Sequence, residues 1–146
     1  MLTRKLNQQF GKPVKSLTGW LLTNERMRAE IESGKVTLFN GNVMAMPLPD
    51  SSVDKVYHCN CYYYWPDLKV GTSEIHRVMK PGGLMVTTLR LSSTMKAASM
   101  NILLNDNWKP EVYMEALRAT GFSDVRMEDK QDKKIAFQAI FATASK

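Results

Sequence analysis

The chain has 146 residues, of which 44% are hydrophobic and 9% aromatic, a composition that suits one globular core. No apolar run approaches the roughly 20 residues a membrane-crossing helix needs. The net charge of +6 is scattered rather than gathered, so a solvated basic surface is expected and a specific nucleic-acid site is not.

In chain order, residues 1–22 read as helical pieces broken at Gly11-Lys12-Pro13, with an apolar patch of Leu17, Trp20, Leu21 and Leu22. The first 24 residues carry Arg4, Lys5, Lys12 and Lys15 and no acidic side chain. A basic amphipathic cap helix with weak membrane-surface contact is preferred over a mitochondrial presequence. Asn24 is placed to cap a helix to Ser33, closed by Gly34. A strand over Lys35–Asn40 turns at Gly41-Asn42 into a Pro-rich loop, Met44–Asp54.

A second strand is expected over Lys55–Cys61, with Cys59 and Cys61 on one face. A bridge across one residue would be strained, and a lone C-x-C has too few ligands for zinc. Free thiols in an intracellular, cytoplasmic protein and no metal site are therefore expected. A helix follows from about Asp67 to Met79, stopped by Lys80-Pro81-Gly82-Gly83, then a strand over Leu84–Leu91. The next helix starts at Ser92 or Ser93 within a segment ending at Leu104. Pro110–Thr120 forms another, with Val112, Met114, Ala116 and Leu117 inward. Strands Phe122–Glu128 and Ile135–Thr143 flank the polar run Asp129–Lys134, read as a hairpin turn. Strands alternating with helices predict an α/β fold around a mainly parallel sheet with an antiparallel C-terminal hairpin. Such sheets bind ligands at the carboxyl ends of their strands.

The stretch from Val36 to Leu89 contains ordered blocks: Gly41-Asn42-Val43, then Met46-Pro47-Leu48-Pro49-Asp50, then Ser52-Val53-Asp54. Glu74-Ile75-His76-Arg77-Val78-Met79-Lys80-Pro81-Gly82-Gly83 ends the series. Their order and spacing resemble class I S-adenosylmethionine-dependent methyltransferases of the type-11 kind, and the resemblance extends to about Thr143. It implies a Rossmann-like sheet, S-adenosyl-L-methionine as cofactor and a small-molecule or lipid-like methyl acceptor. By resemblance, Gly41, Asn42, Val43 and Met44 border the adenine, with Asn42 where relatives usually carry Asp. Asn60 falls near the methionine moiety. Tyr62, Tyr63 and Trp65 are substrate-side candidates, since a sulfonium or cationic amine is attracted to aromatic faces. Inward packing of at least two members of Tyr62–Trp65 is the competing reading. His58 and His76 read as structural, and no catalytic residue is assigned, because displacement at a sulfonium needs positioning more than acid–base groups.

Relatives begin this fold with a strand, a glycine-rich turn, a helix and a second strand ending in an acid. Gly11 and Gly19 are the only glycines before Asn24, and no apolar strand precedes either. The chain therefore reads as a cap (1–22) joined near Leu22-Thr23 to a partial methyltransferase domain (23–146), incomplete in its N-terminal half. Weak or absent cofactor binding is expected. The alternative is a non-catalytic isoform serving as an interaction module. A different nucleotide-binding α/β protein is disfavoured by the Pro81-Gly82-Gly83 block in its context.

Overall fold

The computed structural model describes residues 7–8, 24–103 and 105–146. Apart from Asn7–Gln8, the expectations for residues 1–22 lie outside the described residues. The chain divides into two compact units, Met1–Pro47 and Leu48–Lys146.

In the first unit, β1 (Asn7–Gln8) pairs in parallel with β2 (Asn40–Gly41). An extended pair therefore stands where helical pieces were expected, because a pairing partner overrides weak local propensity. The strand expected over Lys35–Asn40 is paired only at its end, although Val36 is buried and Thr37 exposed as alternation requires. Residues 24–26 are helical and a turn at Met27 separates them from α1 (Arg28–Glu32), so Asn24 is not its cap. Gly34 does close α1: at φ +72 it donates to the Ile31 carbonyl while Lys35 donates to that of Glu30. This is the paired bonding of a left-handed helix stop.

The second unit runs β3 (Val53–Cys59), a 3₁₀ turn (Tyr62–Tyr64), α2 (Leu68–Val78) and β4 (Met79–Leu89). It continues with α3 (Leu91–Ser99), a second 3₁₀ turn (Asp106–Trp108), α4 (Pro110–Ala119), β5 (Phe122–Asp132) and β6 (Ile135–Ala144). The sheet order is β3-β4-β6-β5. β3 and β4 are parallel and joined through α2, while β6 is antiparallel to both β4 and β5. The α/β architecture and the antiparallel hairpin stand as expected. Insertion of β6 between β4 and β5 makes antiparallel pairs the majority in this sheet, and parallel pairing among the described residues is confined to β1–β2 and β3–β4.

Local chemistry explains the element ends. Asp67 caps α2 by accepting from the Val70 N–H at 3.0 Å. The Pro81-Gly82-Gly83 block lies inside β4 as a bulge rather than as a turn before it. Val53 pairs with Met79 and Lys55 with Leu84, so five steps on one strand oppose two on the other. Gly82 has φ +74, and a Cβ at Gly83 would sit 2.9 Å from the Asp54 carbonyl oxygen.

Neither Ser92 nor Ser93 caps α3, which starts at Leu91. Its first donors are met from elsewhere: Asn60 Oδ1 accepts from the Arg90 N–H (3.2 Å) and Gln138 Oε1 from the Leu91 N–H (3.0 Å). Tertiary acceptors replace the local hydroxyl. In α4 the buried positions are Pro110, Tyr113, Ala116 and Leu117, whereas Val112 and Met114 are half-buried. The polar run Asp129–Lys134 is mostly strand, with only Lys133-Lys134 in the turn, because paired backbone and the Gln138–Asp129 bond (2.9 Å) carry the ladder past the packed core.

The core lies on the sheet face that carries Met85, Thr87, Leu89, Ile140 and Ala142, all buried. Tyr113 and Leu117 of α4 and Ile75 and Val78 of α2 join them. Trp65, 1% exposed, is wedged against α2, where a Cβ at Gly71 would lie 2.7 Å from its Cε3. Overpacking of that kind costs about 1–3 kcal/mol, which outweighs the roughly 1 kcal/mol helix-propensity gain over glycine. Gly71→Ala is therefore expected to lower the urea midpoint; a raised midpoint would mean that Trp65 has room to move.

Candidate functional site

The carboxyl ends of β3 and β4 form the rim at which an open α/β sheet presents ligand-binding groups. β3 leaves the ladder at Asn60, whose φ of 49 is left-handed and which Asn tolerates better than most residues. That turn takes Cys61 out of the strand, so the expected strand end at Cys61 falls two residues earlier, at Cys59. Both cysteines are free. Asn60 is exposed, and its side chain already bonds twice: Nδ2 donates to Cys59 Sγ (3.2 Å) and Oδ1 accepts from the Arg90 N–H. Asn60 thus ties the end of β3 to the start of α3.

Behind this rim the aromatic run divides. Tyr62, Tyr63 and Trp65 are buried, and Tyr64 is half exposed at 51%. Tyr62 stacks on Tyr113 with centroids 4.2 Å apart and planes at 18°, and its hydroxyl donates to the Trp108 carbonyl at 2.8 Å. Burial raises the Tyr62 and Tyr113 hydroxyl pKa values well above their ordinary range, and that of Tyr63 to about 12. These phenols stay protonated and act as hydrogen-bond groups. The inward-packing reading thus holds for Tyr62 and Trp65.

His58 occupies the centre of this cluster. Its Nε2 lies 2.8 Å from the Tyr113 hydroxyl, its Nδ1 2.6 Å from Thr87 Oγ1 and 3.3 Å from Cys61 Sγ. Trp65 and Tyr113 flank the ring at centroid distances of 5.2 and 5.8 Å. Burial lowers its pKa to about 3 and raises that of the Cys61 thiol to about 12. Both ring nitrogens are satisfied by neutral partners and no carboxylate is among them, so His58 is a neutral structural group, as expected. His76 is structural too, bonded to the Ser145 carbonyl (3.0 Å) and edge-on to Phe122. The sequence reading missed Tyr113. The signal was present, since Tyr113, Ala116, Leu117 and Thr120 share one helical face.

The motif residues before and after β3 serve as a clamp. Arg77 bonds Glu74 through Nε (2.8 Å) and Nη2 (2.6 Å), donates to the Leu48 carbonyl (3.0 Å) and pairs with Asp50. The Ser51 and Ser52 N–H groups bond the Arg77 and Val78 carbonyls. The Leu48–Ser52 loop is thereby fixed to the end of α2, which explains physically why these residue types occur together. In the first unit, Asn42 Oδ1 accepts from the Met44 N–H (3.0 Å), the Ala45 N–H bonds the Asn42 carbonyl (3.0 Å), and Val43 is buried. Gly41 ends β2, and a Cβ there would press on Pro47 at 3.3 Å.

These residues fit S-adenosyl-L-methionine only in part. The Gly41–Met44 turn is compact and offers the second lone pair of Asn42 Oδ1, but its Met44 donor is already bonded. At the ends of β3 and β4 the side chains are those of Cys59, Asn60, Cys61, Leu89 and Arg90, with no carboxylate to accept from ribose hydroxyls. No group of three or more His, Cys, Asp or Glu side chains suited to a metal occurs among the described residues.

The fold and its motif clamp define a Rossmann-like methyltransferase sheet. The chain belongs to the methyltransferase domain family, which matches residues 2–87. It is 44% identical over 52 residues to the sterol 24-C-methyltransferase of Pneumocystis carinii, covering 36% of this chain and 14% of that protein. It is 27% identical over 108 residues to a 2-methyl-6-phytyl-1,4-hydroquinone methyltransferase of Oryza sativa subsp. japonica, covering 71% and 32%. The chain thus spans less than a third of either relative. Its fold is similar to that of geranyl diphosphate C-methyltransferase from Streptomyces coelicolor A3(2), with a TM-score of 0.63 at 16% identity, covering 83% of this chain and 56% of that one.

Proposed function

We propose that the chain is a form of an S-adenosylmethionine-dependent methyltransferase that acts on a small, lipid-like acceptor, and that this form is internally deleted and weakly active or inactive. The main support is a contrast within the sequence. The blocks from Gly41 to Gly83 are in order, yet before Asn24 the sequence holds only two glycines, Gly11 and Gly19, and no glycine-rich turn of the G-x-G-x-G sort. A sterol and a phytyl-bearing hydroquinone, named for two relatives, are both apolar small molecules, which favours a lipid-like acceptor over a polar metabolite. Gly41, Asn42, Val43, Met44 and Asn60 remain the cofactor-side candidates and Tyr62, Tyr63 and Trp65 the substrate-side ones, with Tyr62 and Trp65 as buried support behind the rim rather than as contacts. Tyr63 is the most accessible of the last three. Residues 1–22 are assigned as a cap and 23–146 as the partial domain.

Isothermal titration with S-adenosyl-L-methionine tests this directly. The chain as it stands is expected to give no micromolar binding. A version with a strand, glycine-rich turn, helix and strand restored between Leu22 and Thr23 is expected to bind and to transfer methyl. Firm micromolar binding by the present chain would overturn the deletion reading. Binding without transfer by the restored chain would favour the non-catalytic module.

A further inference from the structure

The segment after β4 carries a feature that the methyltransferase reading does not use. From Arg90 to Leu103 it contains two cations, Arg90 and Lys96, and no acidic residue. Three of its large apolar side chains are exposed: Met95 at 54%, Met100 at 60% and Ile102 at 60%. They are held out by ordered backbone. α3 is pinned at its start by the Asn60 and Gln138 acceptors, and at its end Asn101 takes φ 54. There the Asn101 N–H bonds the Ala98 carbonyl and the Ile102 N–H that of Ala97, both at 3.0 Å. This left-handed stop carries the chain on to Ile102 directly after Met100. Other positions of α3 are anchored, with Thr94 buried and Leu91, Ala97 and Ala98 half-buried. Asp106, on the 3₁₀ turn beside α3, is ion-paired with Lys109 at 2.9 Å.

We infer that α3 and its cap dock on an anionic lipid surface, with Met95, Met100 and Ile102 entering the apolar boundary and Arg90 and Lys96 meeting headgroups. A helix lying in an interface combines an apolar face with cations in this way. Charge complementarity selects the occupant: a segment with two cations and no carboxylate is matched by a negative bilayer. α3 leaves β4 at the carboxyl end of the sheet, the end at which ligands bind in this architecture. Docking there would bring that rim to a membrane-dissolved acceptor. Only this last link rests on the lipid-acceptor reading.

Cosedimentation with phosphatidylcholine vesicles, with and without phosphatidylserine, tests the inference without cofactor or acceptor. Binding is expected only with phosphatidylserine. The triple variant Met95→Gln, Met100→Gln, Ile102→Gln is expected to reduce it at least tenfold while far-ultraviolet circular dichroism stays unchanged. Lys96→Glu removes one cation and adds an anion; at about fivefold per charge it should cost on the order of 25-fold. A second variant set, Arg4, Lys5, Lys12 and Lys15 each →Gln, should leave a clear residual affinity. The inference fails if wild-type protein ignores anionic vesicles. It fails equally if the triple variant binds like wild type while the N-terminal set abolishes binding, or if the patch captures a protein partner and no vesicle. Titration with S-adenosyl-L-methionine reports separately on the methyltransferase reading.

Discussion

Replacing Tyr113 with alanine is expected to lower the stability of the Leu48–Lys146 unit by about 3–5 kcal/mol, the range for removing a buried aromatic ring. Tyr113 is fully buried and is the ring on which the others converge. It stacks on Tyr62 at 4.2 Å and lies edge-on to His58 and Trp65 at 5.8 and 6.0 Å. Tyr62, its stacking partner, is held at the Trp108 carbonyl and is not free to fill the space it leaves. Against a total of about 5–15 kcal/mol for a typical domain, that loss is a large fraction. Tyr113→Phe keeps the ring and removes the hydroxyl from His58 Nε2. It should cost about 1–3 kcal/mol, the penalty for an unmet buried polar group. Urea unfolding followed by tryptophan fluorescence measures both, with Trp65 beside the altered site. A Phe variant as stable as wild type would show that Nε2 finds another partner, and the network would lose its central bond.

Much of this core was legible before any coordinates. The helix start near Asp67, the Pro110 helix opening, the Gly34 stop and the closing hairpin are local decisions, made by residues a few positions apart. Where distant residues decide, the sequence misleads. Ser92 and Ser93 look like caps for α3, yet Asn60 and Gln138 supply the acceptors across 30 and 47 positions. Tyr113 was hidden for a similar reason. Its helical face with Ala116, Leu117 and Thr120 is legible, but the partners of its hydroxyl, His58 and Met85, lie 55 and 28 positions away. The Pro81-Gly82-Gly83 block reads as a helix stop, which it is, but register alone reveals the bulge within β4. Likewise the spacing of Glu74 and Arg77 suggests a helical ion pair, and the third partner, Asp50, is visible only once the loop folds back. The candidate site was legible as positions rather than as contacts. Asn42 stands in a turn and Asn60 at the carboxyl end of β3 as expected, but both already spend side-chain bonds on backbone groups nearby.

Acidification is expected to unfold the protein earlier than its carboxylates alone would dictate, because of His58. Burial holds its pKa near 3 in the folded state against 6.5 ordinarily. Between those values the unfolded chain takes up a proton that the native ring refuses. Stability is therefore fully present above about pH 6.5 and declines as pH falls toward 3, at up to about 1.4 kcal/mol per pH unit. The carboxylates act later. Hydrogen bonding to Lys80 lowers the Asp54 pKa below 3.8, and bonding to Lys130 and Arg126 lowers that of Glu128 below 4.5. Their contributions are lost only as pH falls through those lowered values. Urea midpoints between about pH 7 and pH 5 therefore isolate the histidine. His58→Gln keeps a donor and an acceptor but cannot titrate, so its midpoint should be lower at neutral pH yet flat across that interval. A wild-type midpoint equally flat would mean that the folded ring accepts the proton. Thr87 and Tyr113 would then both have to serve as acceptors for an imidazolium, and the cluster behind the rim would have to admit water.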